Sequence, residues 1–308
     1  MRDLHIPFDF IFDEQLPNLS DYSLIIVPNA EIISEQNLSR IIEFLNTGGV
    51  VISFGCFGLR VREGRSSKAS DFLEKALGIK SNGLSNYSIS YFMVDNRPCL
   101  VEGRYVRYST DSNWDSLGEI VIPIFETTRE EFYHNHLPSP YQPSNESFMM
   151  TRRLGKGRIV VFSQPLSSQY AKKTQLQIID SINHVIKRYV KEAPISFICP
   201  KRVDISAMEF NDKYMIHLIN PNPGLSVCCG PMETFEGTYK RTFEYMEEVI
   251  PIENVQIVLN GNYLEAYSVD NPHNVSIKYE DHKTTITIKS LNIWETVIIM
   301  KTNYARTD

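Results

Sequence analysis

The sequence predicts a chain of two parts, an α/β domain followed by an all-β domain, and three observations support this. Residues 24–27 are a short, wholly apolar run, and residues 50–54 are a second apolar run interrupted only by Ser53, which is typical of strands buried on both faces of a parallel sheet. A segment with apolar residues at helical spacing lies between them. Beyond Pro194 the pattern changes to alternating strands separated by Asn, Gly and Pro turns. We therefore expect a flavodoxin-like, doubly wound, mostly parallel sheet over residues 1–193 and a β-sandwich over residues 194–308.

The first strand, helix and second strand form a βαβ unit. Ser34 is in the position of an N-cap, and Gly48-Gly49 is a typical helix stop. The connection of such a unit is almost always right-handed, so its two strands lie parallel. Ligands of open parallel sheets gather beyond the carboxyl ends of the strands. This predicts that Asn29 and Cys56 lie on the rim where a site would form.

The segment before this unit is shorter than a flavodoxin-like sheet requires. Residues 5–12, HIPFDFIF, have the pattern of a strand, but no full crossover helix follows them. In the flavodoxin-like order the first strand is also central. We therefore expect the sheet to lack its first strand, so that either the chain is the carboxyl-terminal portion of a longer protein or the missing strand is supplied elsewhere.

The middle of the first domain departs from the parallel pattern. Residues 81–126 contain short strands between turn residues, which predicts an antiparallel edge or insertion. Residues 127–148 form a loop rich in Pro, Ser, His and Tyr, a length that favours a contact role. A strand at 159–163 and a helix over 171–189 follow. The candidates for the rim or for a contact in this part are Tyr133, His134, His136, Leu137, Tyr141 and Tyr170.

The second domain offers one alternative function. Its strands alternate clearly, while residues 226–248 resist assignment and are expected to form a long loop. Trp294, Tyr263 or Tyr267 would provide a stacking surface if this domain bound carbohydrate. Aromatic residues on strands more often belong to the core.

Composition excludes several function classes. The net charge of -6 and the pI near 5.7 give no electrostatic footprint for nucleic acid or for an anionic membrane. No apolar run has the length of a membrane span. The five cysteines are odd in number and show no CxxC spacing, so neither a disulfide framework nor a zinc site is indicated. We expect a cytoplasmic protein without a cofactor.

Cys56 is the sharpest candidate for chemistry. It follows a buried strand within Gly55-Cys56-Phe57-Gly58, which resembles the nucleophile turn of class I glutamine amidotransferases. A thiolate there requires a base, which in that family is the histidine of a late His-Pro-Glu sequence. The matching place reads Ser163-Gln164-Pro165, without imidazole or carboxylate. A buried structural cysteine is the favoured interpretation. An enzyme using Cys56 with His134 or His136 as base remains the alternative.

The histidines are the second set of candidates, either as metal ligands or as contact residues. His134-Asn135-His136 would place two imidazoles on one side of an extended strand, but spacing identifies no third metal ligand. A loop histidine at a contact or rim is therefore favoured, and no metal site is predicted. His217 alternates with Met215 and Ile219, which favours a hydrogen-bonded histidine within a sheet.

Several segments in succession resemble a known family. They are PNAEIISEQNLSRIIEFLNTGGVVISFG, HNHLP, RRLGKGRIVVFSQPLSSQY, YMIHLINPNPG and EEVIPIENVQIVL. This order resembles the carboxyl-terminal half of glycoside-hydrolase-like proteins, in which a β-galactosidase trimerisation domain of class I amidotransferase-like fold precedes a β-sandwich.

The resemblance implies a function without catalysis. In the family, this region serves subunit association and shapes the cleft, while hydrolysis belongs to a preceding barrel that this chain does not contain. We therefore expect a non-catalytic module that forms a homo-oligomer, specifically a trimer. Its other partner would be a glycoside hydrolase barrel encoded upstream or on another chain.

Overall fold

The computed structural model of this protein describes residues 1–12, 19–58, 68–125, 138–191, 193–210, 213–221, 225–234, 237–245 and 249–301. The chain divides into two compact units. The first, which we call the α/β unit, comprises residues 10–191. The second, the sandwich unit, comprises residues 192–308 together with residues 1–9.

The α/β unit contains nine strands and four helices among its described residues. The strands are β1 (Leu24–Pro28), β2 (Val50–Phe54), β3 (Ile79–Leu84), β4 (Ile89–Val94), β5 (Arg97–Glu102), β6 (Val106–Thr110), β7 (Asp115–Pro123), β8 (Pro140–Leu154) and β9 (Gly157–Phe162). The helices are α1 (Glu35–Thr47), α2 (Lys68–Leu77), α3 (Leu166–Lys173) and α4 (Leu176–Tyr189).

Seven of these strands form one mixed sheet in the order β1-β2-β9-β8-β7-β4-β5. The β1, β2 and β9 strands are parallel, so the predicted βαβ unit is confirmed. The other four pairings are antiparallel, which confirms the predicted antiparallel edge. The prediction of a mostly parallel, doubly wound sheet is wrong, because tight turns rather than crossover helices join β4 to β5 and β8 to β9. A β3–β6 pair forms a separate small sheet.

Local sequence explains the start of α1 and the packing beside it. Ser34 is the N-cap, and its hydroxyl accepts a hydrogen bond from the Asn37 backbone N–H at 3.2 Å. The turn between β8 and β9 approaches the end of this helix closely. A Cβ at Gly157 would lie 2.2 Å from the Gly49 carbonyl oxygen, so only glycine fits there.

Two apolar layers cover the mixed sheet. On one face α1 and α2 pack against β1, β2 and β9 through residues such as Leu38, Leu45 and Val161. The other face carries aromatic rings, with Phe54 stacked on Phe162 at 5.3 Å and Phe92 stacked on Phe148 at 4.4 Å between centroids.

The β5 edge of the sheet is closed by one side chain from α3. Gln169 is buried, and its Oε1 accepts from the Glu102 backbone N–H at 3.1 Å while its Nε2 donates to the Leu100 carbonyl at 3.4 Å. The amide thus pairs with the backbone as a neighbouring strand would. The opposite edge strand, β1, pairs only with β2 among the described residues.

Three local predictions for the first domain are corrected. Residues 5–12 do not form a strand; the described amino end has only a short 3-10 helix, Arg2–Leu4. The predicted 127–148 loop ends early, because β8 already begins at Pro140, and residues 126–137 lie outside the described residues. The predicted helix over 171–189 is split at Thr174, which adopts a left-handed φ of 47° between α3 and α4.

The sandwich unit contains ten described strands. They are β10 (Ile195–Ile198), β11 (Asp204–Phe210), β12 (Lys213–Ile219), β13 (Leu225–Thr234), β14 (Gly237–Tyr245), β15 (Ile252–Asn260), β16 (Ala266–Ser268), β17 (Val275–Glu280), β18 (Lys283–Leu291) and β19 (Trp294–Met300). Two four-stranded antiparallel sheets have the orders β10-β15-β18-β17 and β11-β12-β19-β16. Their inward residues, among them Ile216, Ile257 and Val297, share one apolar core.

Residues 226–248 are the clearest correction in this unit. Instead of a long loop, β13 and β14 pair with each other as an antiparallel hairpin, with Leu225 opposite Tyr245. Asn220, which is fully buried, precedes this hairpin and links the chain there to the segment that follows the hairpin. Its Nδ2 donates to the carbonyls of Ile250 at 2.9 Å and Asn292 at 2.7 Å.

Candidate functional site

The carboxyl ends of the three parallel strands meet at one rim, as the βαβ pattern predicts. Asn29 follows β1, Gly55 and Cys56 follow β2, and Pro165 follows β9 after two residues. Asn29 has a φ of 46° and Gly55 a φ of 59°, so both turns use the left-handed region that few residues tolerate. The geometry therefore builds the kind of sharp strand-end turn on which other α/β proteins place a nucleophile.

This rim is filled by its own atoms. The Asn29 Oδ1 accepts from the Cys56 backbone N–H at 2.9 Å. A Cβ placed on Gly55 would lie 2.5 Å from that same oxygen and 3.3 Å from the Pro165 Cα. The space directly above β2 is thus occupied by an amide and a proline ring.

Tyr108 closes the rim from another direction. Its hydroxyl donates to the Gly55 carbonyl oxygen at 2.8 Å. Burial, with a smaller contribution from Cys56, raises the pKa of Tyr108 above its ordinary value. The phenol therefore stays protonated at neutral pH, where it serves as a hydrogen-bond donor and not as a base. Sequence reasoning missed this residue because it lies 53 positions away from its partner.

The place of the base in the amidotransferase pattern holds structural polar groups. The Ser163 hydroxyl donates to the Ser147 carbonyl at 2.7 Å, and the Gln164 Nε2 donates to the Ser90 hydroxyl oxygen at 2.7 Å. Gln164 is fully buried, and an amide does not accept a thiol proton at neutral pH. The described rim therefore provides Cys56 with a turn but no proton acceptor at these two positions.

The remaining candidates of the first domain are dispersed. Tyr133, His134, His136 and Leu137 lie outside the described residues. Tyr141 lies near the start of β8 and is 63% exposed, whereas Tyr170 is half-buried on α3. Among the described residues, no group of three or more His, Cys, Asp or Glu side chains is placed to hold a metal ion.

The other described cysteines have low reactivity for a physical reason. Burial raises the pKa of both Cys99 and Cys199 to about 11, so their thiols stay protonated at neutral pH. Cys199 lies beside His5, with its sulfur 3.6 Å from Nδ1. Cys56, Cys99 and Cys199 are all free thiols.

A second candidate surface lies on the sandwich unit. We call it the outer face: the side of the β11-β12-β19-β16 sheet that points away from the core. Residues on these strands alternate between core positions such as Leu218 and Val297 and positions on this face. The outer face consists of Ser206, Met208, Phe210, Met215, His217, Ile219, Trp294, Thr296, Ile298, Tyr267 and Val269.

The outer face is largely apolar and exposed at its borders, whereas Ile298 and Thr296 on its β19 strand are only 5% and 6% exposed. Trp294 is 57% exposed and lies directly opposite Ile219, which is 46% exposed. Val269 and Tyr267 continue the exposed surface at 55% and 41%. His217 lies in the middle, and its Nδ1 is 3.0 Å from the Thr296 hydroxyl, which confirms the predicted hydrogen-bonded sheet histidine.

Of the three aromatic residues considered for sugar stacking, only two share this face. Trp294 and Tyr267 lie on it, whereas Tyr263 packs against the core and against Tyr214, with ring centroids 6.2 Å apart. Burial, followed by the influence of Tyr214, raises the pKa of Tyr263 to about 12.

The two units together define the class of architecture: a mixed α/β region followed by an antiparallel β-sandwich. This is the fold of the carboxyl-terminal third or so of several glycoside hydrolases. No protein-family model matches the sequence, and no curated protein sequence matches it significantly. The likeness therefore rests on structure.

Three solved structures illustrate it. α-L-Fucosidase isoenzyme 2 from Paenibacillus thiaminolyticus matches with a TM-score of 0.69 and 18% identity, over 94% of this chain and 42% of that chain. Gan42B, a GH42 β-galactosidase from G. stearothermophilus, matches with a TM-score of 0.58 and 13% identity, over 98% and 34%. The β-galactosidase from Bacillus circulans sp. alkalophilus gives 0.54 and 11%, over 97% and 35%.

The extent of these matches is uneven. Nearly all of this chain is covered, but it spans less than half the length of each of these three proteins. At these identities the comparison shows the fold alone. In the described part of the chain, no helix is both long and apolar enough to cross a membrane.

Proposed function

We propose that this chain is a non-catalytic assembly and cleft-shaping region of a glycoside-hydrolase-like protein, and that it forms a homotrimer. The observation that carries the proposal is the coverage of the structural matches. Three sugar-cleaving enzymes share the fold of nearly this entire chain, while most of their own length lies outside it. The activity of such a protein would reside in that other part.

The filled rim supports the absence of catalysis in this chain. A substrate above β2 would have to displace the Asn29 amide and the Pro165 backbone, which lie 2.5 Å and 3.3 Å from a Cβ at Gly55. The Asn29 amide and the Tyr108 hydroxyl are already hydrogen-bonded to the Gly55–Cys56 turn, so that a substrate there would have to replace both hydrogen bonds. Among the described residues, the positions that carry the base in the amidotransferase pattern, Ser163 and Gln164, hold no group that acid–base chemistry could use.

The contact that holds the proposed trimer is assigned to the segment around β8. Tyr141 is exposed at the start of that strand, and the candidates Tyr133, His136 and Leu137 precede it in sequence. Aromatic side chains of this kind provide much of the energy of protein interfaces. The proposed second partner is a glycoside hydrolase barrel, and the proposed compartment is the cytoplasm.

The mass of the purified chain in solution tests the proposal. Light scattering is expected to give three times the 35.5 kDa of one chain. Tyr141→Glu is expected to shift the mass towards the monomer, because it places a charge in the contact. Tyr279→Glu is the matched control, since Tyr279 is 45% exposed on β17 of the sandwich unit. A strict monomer at high concentration would contradict the proposal.

Catalysis by Cys56 is tested separately. Iodoacetamide at neutral pH is expected to alkylate Cys56 no faster than a free model thiol, because the described rim offers it no base. The chain alone is expected not to hydrolyse aryl galactosides or aryl fucosides. Alkylation of Cys56 well above the model rate would favour a cysteine hydrolase instead.

A further inference from the structure

The chain contains two Asn-Gly pairs, and the structure holds them differently. They are Asn82-Gly83 in β3 and Asn260-Gly261 at the end of β15. In an Asn-Gly pair the next backbone nitrogen can attack the side-chain amide with little hindrance, because glycine has no Cβ. The product of that attack is a five-membered succinimide ring. The way in which the fold holds the peptide between the two residues decides how fast this reaction is.

The Asn82-Gly83 peptide lies in a bulge of the β3–β6 pair. The register shifts between Ser81 and Leu84, so that Asn82 and Gly83 together lie opposite the single residue Arg107. Both residues of the bulge are exposed. A bulge leaves its extra residue outside the ladder, so this peptide can turn without breaking the strand pair. Among the described residues, the Asn82 side chain has no hydrogen-bond partner, which leaves its Cγ free to approach the Gly83 nitrogen.

Arg107 binds the carbonyl group of this same peptide. Its Nη2 donates to the Asn82 backbone oxygen at 3.0 Å. The same Nη2 would lie 3.9 Å from a Cβ at Gly83, which places the guanidinium beside the peptide. When the Gly83 nitrogen loses its proton, negative charge moves through the amide onto the Asn82 oxygen. A cation that is hydrogen-bonded to this oxygen stabilises the charge as it develops.

Ser81 provides a path for the proton. The Gly83 backbone N–H donates to the Ser81 Oγ at 3.2 Å. A hydroxyl group both accepts and donates, so it can take up this hydrogen while it passes its own to solvent. The peptide therefore has a cation at its oxygen and a proton relay at its nitrogen. Both features favour the nitrogen as a nucleophile.

The second Asn-Gly pair is held by the strand ladder instead. Asn260 lies opposite Lys283 in the β15–β18 pair, and its N–H donates to the Pro194 carbonyl at 3.1 Å. The Gly261 N–H donates to the His282 carbonyl oxygen at 2.9 Å. A carbonyl oxygen carries no proton that it could pass to solvent. Attack by the Gly261 nitrogen would therefore break a backbone hydrogen bond without a relay to replace it.

We propose that Asn82 is a site of spontaneous covalent modification, in which the Gly83 nitrogen attacks the Asn82 side chain with the help of Arg107. The bond from this nitrogen to Cγ forms and the Cγ–Nδ2 bond breaks. Ammonia leaves, and it carries away the equivalent of the proton that the Gly83 nitrogen released. Water then opens the succinimide at either carbonyl, which gives aspartate or isoaspartate at position 82. Water is the sole co-reactant, and no group is oxidised or reduced.

The modification would act on the strand pair behind the rim of the α/β unit. Isoaspartate lengthens the backbone directly after Ser81, whose ladder partner is Tyr108. Tyr108 in turn holds the Gly55 carbonyl through its hydroxyl. The inference goes beyond the proposed function, because the reaction requires neither a trimer nor a barrel domain. Each of the two proposals can therefore fail without the other.

Peptide mapping by mass spectrometry tests the inference on the full chain, after incubation at mildly alkaline pH. In the folded chain, Asn82 is expected to be converted about tenfold faster than Asn260, a ratio that requires about 1.4 kcal/mol of transition-state stabilisation. In the chain unfolded by urea, the two positions should react at similar rates, because each is then an ordinary Asn-Gly pair. The same ratio in the folded and the unfolded chain would overturn the inference, since the sequence alone would set the rates.

Arg107→Gln isolates the contribution of the guanidinium. This variant is expected to convert Asn82 about fivefold more slowly than the wild type, with the rate at Asn260 unchanged. Arg104→Gln is the matched control, because Arg104 is also exposed but donates to the Ser85 carbonyl. It should modify Asn82 like the wild type. Circular dichroism verifies that both variants are folded. An unchanged rate in Arg107→Gln, or equal slowing in both variants, would also overturn the inference.

Discussion

The rim of the α/β unit and the outer face of the sandwich unit differ in which groups they leave available. At the rim, where an α/β fold normally places its chemistry, the Asn29 amide and the Tyr108 phenol bind the backbone of the Gly55–Cys56 turn. On the outer face, apolar side chains such as Trp294 and Val269 remain exposed. The polar groups at the rim are thus used within the unit, while the apolar side chains Trp294 and Val269 of the outer face remain exposed. This distribution favours assembly over catalysis.

The two tryptophans give the largest expected contrast. Trp114 is buried in the α/β unit, and its Nε1 donates to the Leu77 carbonyl at 2.7 Å. Trp114→Ala is expected to lower the free energy of unfolding of that unit by about 3–5 kcal/mol. Trp294→Ala should change the stability of the sandwich unit by no more than about 0.5 kcal/mol, because the side chain is largely exposed in the single chain. Urea unfolding at low protein concentration, followed by circular dichroism, measures both. Equal losses would mean that Trp294 is not on an open face.

Gly55→Ala measures how tightly the rim is closed. The new Cβ would require a left-handed alanine and would collide with Asn29 Oδ1, so we expect a loss of about 2–4 kcal/mol. Gly118→Ala is the control, because Gly118 also has a positive φ, 68°, but its nearest neighbour, the Phe148 Cβ, is at an ordinary 3.5 Å. That variant should lose only the backbone cost of about 1–2 kcal/mol. Similar losses at both positions would show that the rim has room above β2.

The smallest expected effect is a pH dependence confined to the sandwich unit. Burial lowers the pKa of His5 below its ordinary value of 6.5, against weaker opposing effects of backbone hydrogen bonds and of Asp3 and Asp204. The unfolded chain then binds a proton that the folded unit does not, so stability is lost as the pH falls through about 6.5. His5→Gln should flatten the dependence of the unfolding midpoint between pH 7 and pH 5. An unchanged slope in this variant would exclude His5 as the titrating group.

Local patterns predicted the elements better than their pairing. The runs at residues 24–27 and 50–54, with the Ser34 cap between them, specify a βαβ unit from neighbouring residues alone. Residues 5–12 alternate as well as a true strand does, yet they do not form one in the structure. Alternation measures how a strand would be buried, and it does not identify a partner strand. The same limit explains why the hairpin of β13 and β14 was expected to be a loop.

The rim shows the same distinction between local and distant information. The turn at Gly55–Cys56 and the absence of a base after β9 are visible in consecutive residues, so a site without catalytic groups could be predicted. The contacts that Tyr108 and Pro165 make with the Gly55 turn could not be predicted, because both residues come from segments far away in sequence. The sequence predicted only a stacking surface of Trp294, Tyr263 or Tyr267, and the outer face itself could not be predicted because its rows of neighbours depend on which strands lie beside β19.

The Gln169 amide also limits how these chains could stack edge to edge. By binding the Glu102 N–H and the Leu100 carbonyl, it blocks these two backbone groups of the β5 border from an incoming strand. Growth of a filament by strand addition requires two receptive borders on every subunit. Because α3 caps the β5 border at Leu100 and Glu102, strand addition through β1 alone would join two chains and stop there.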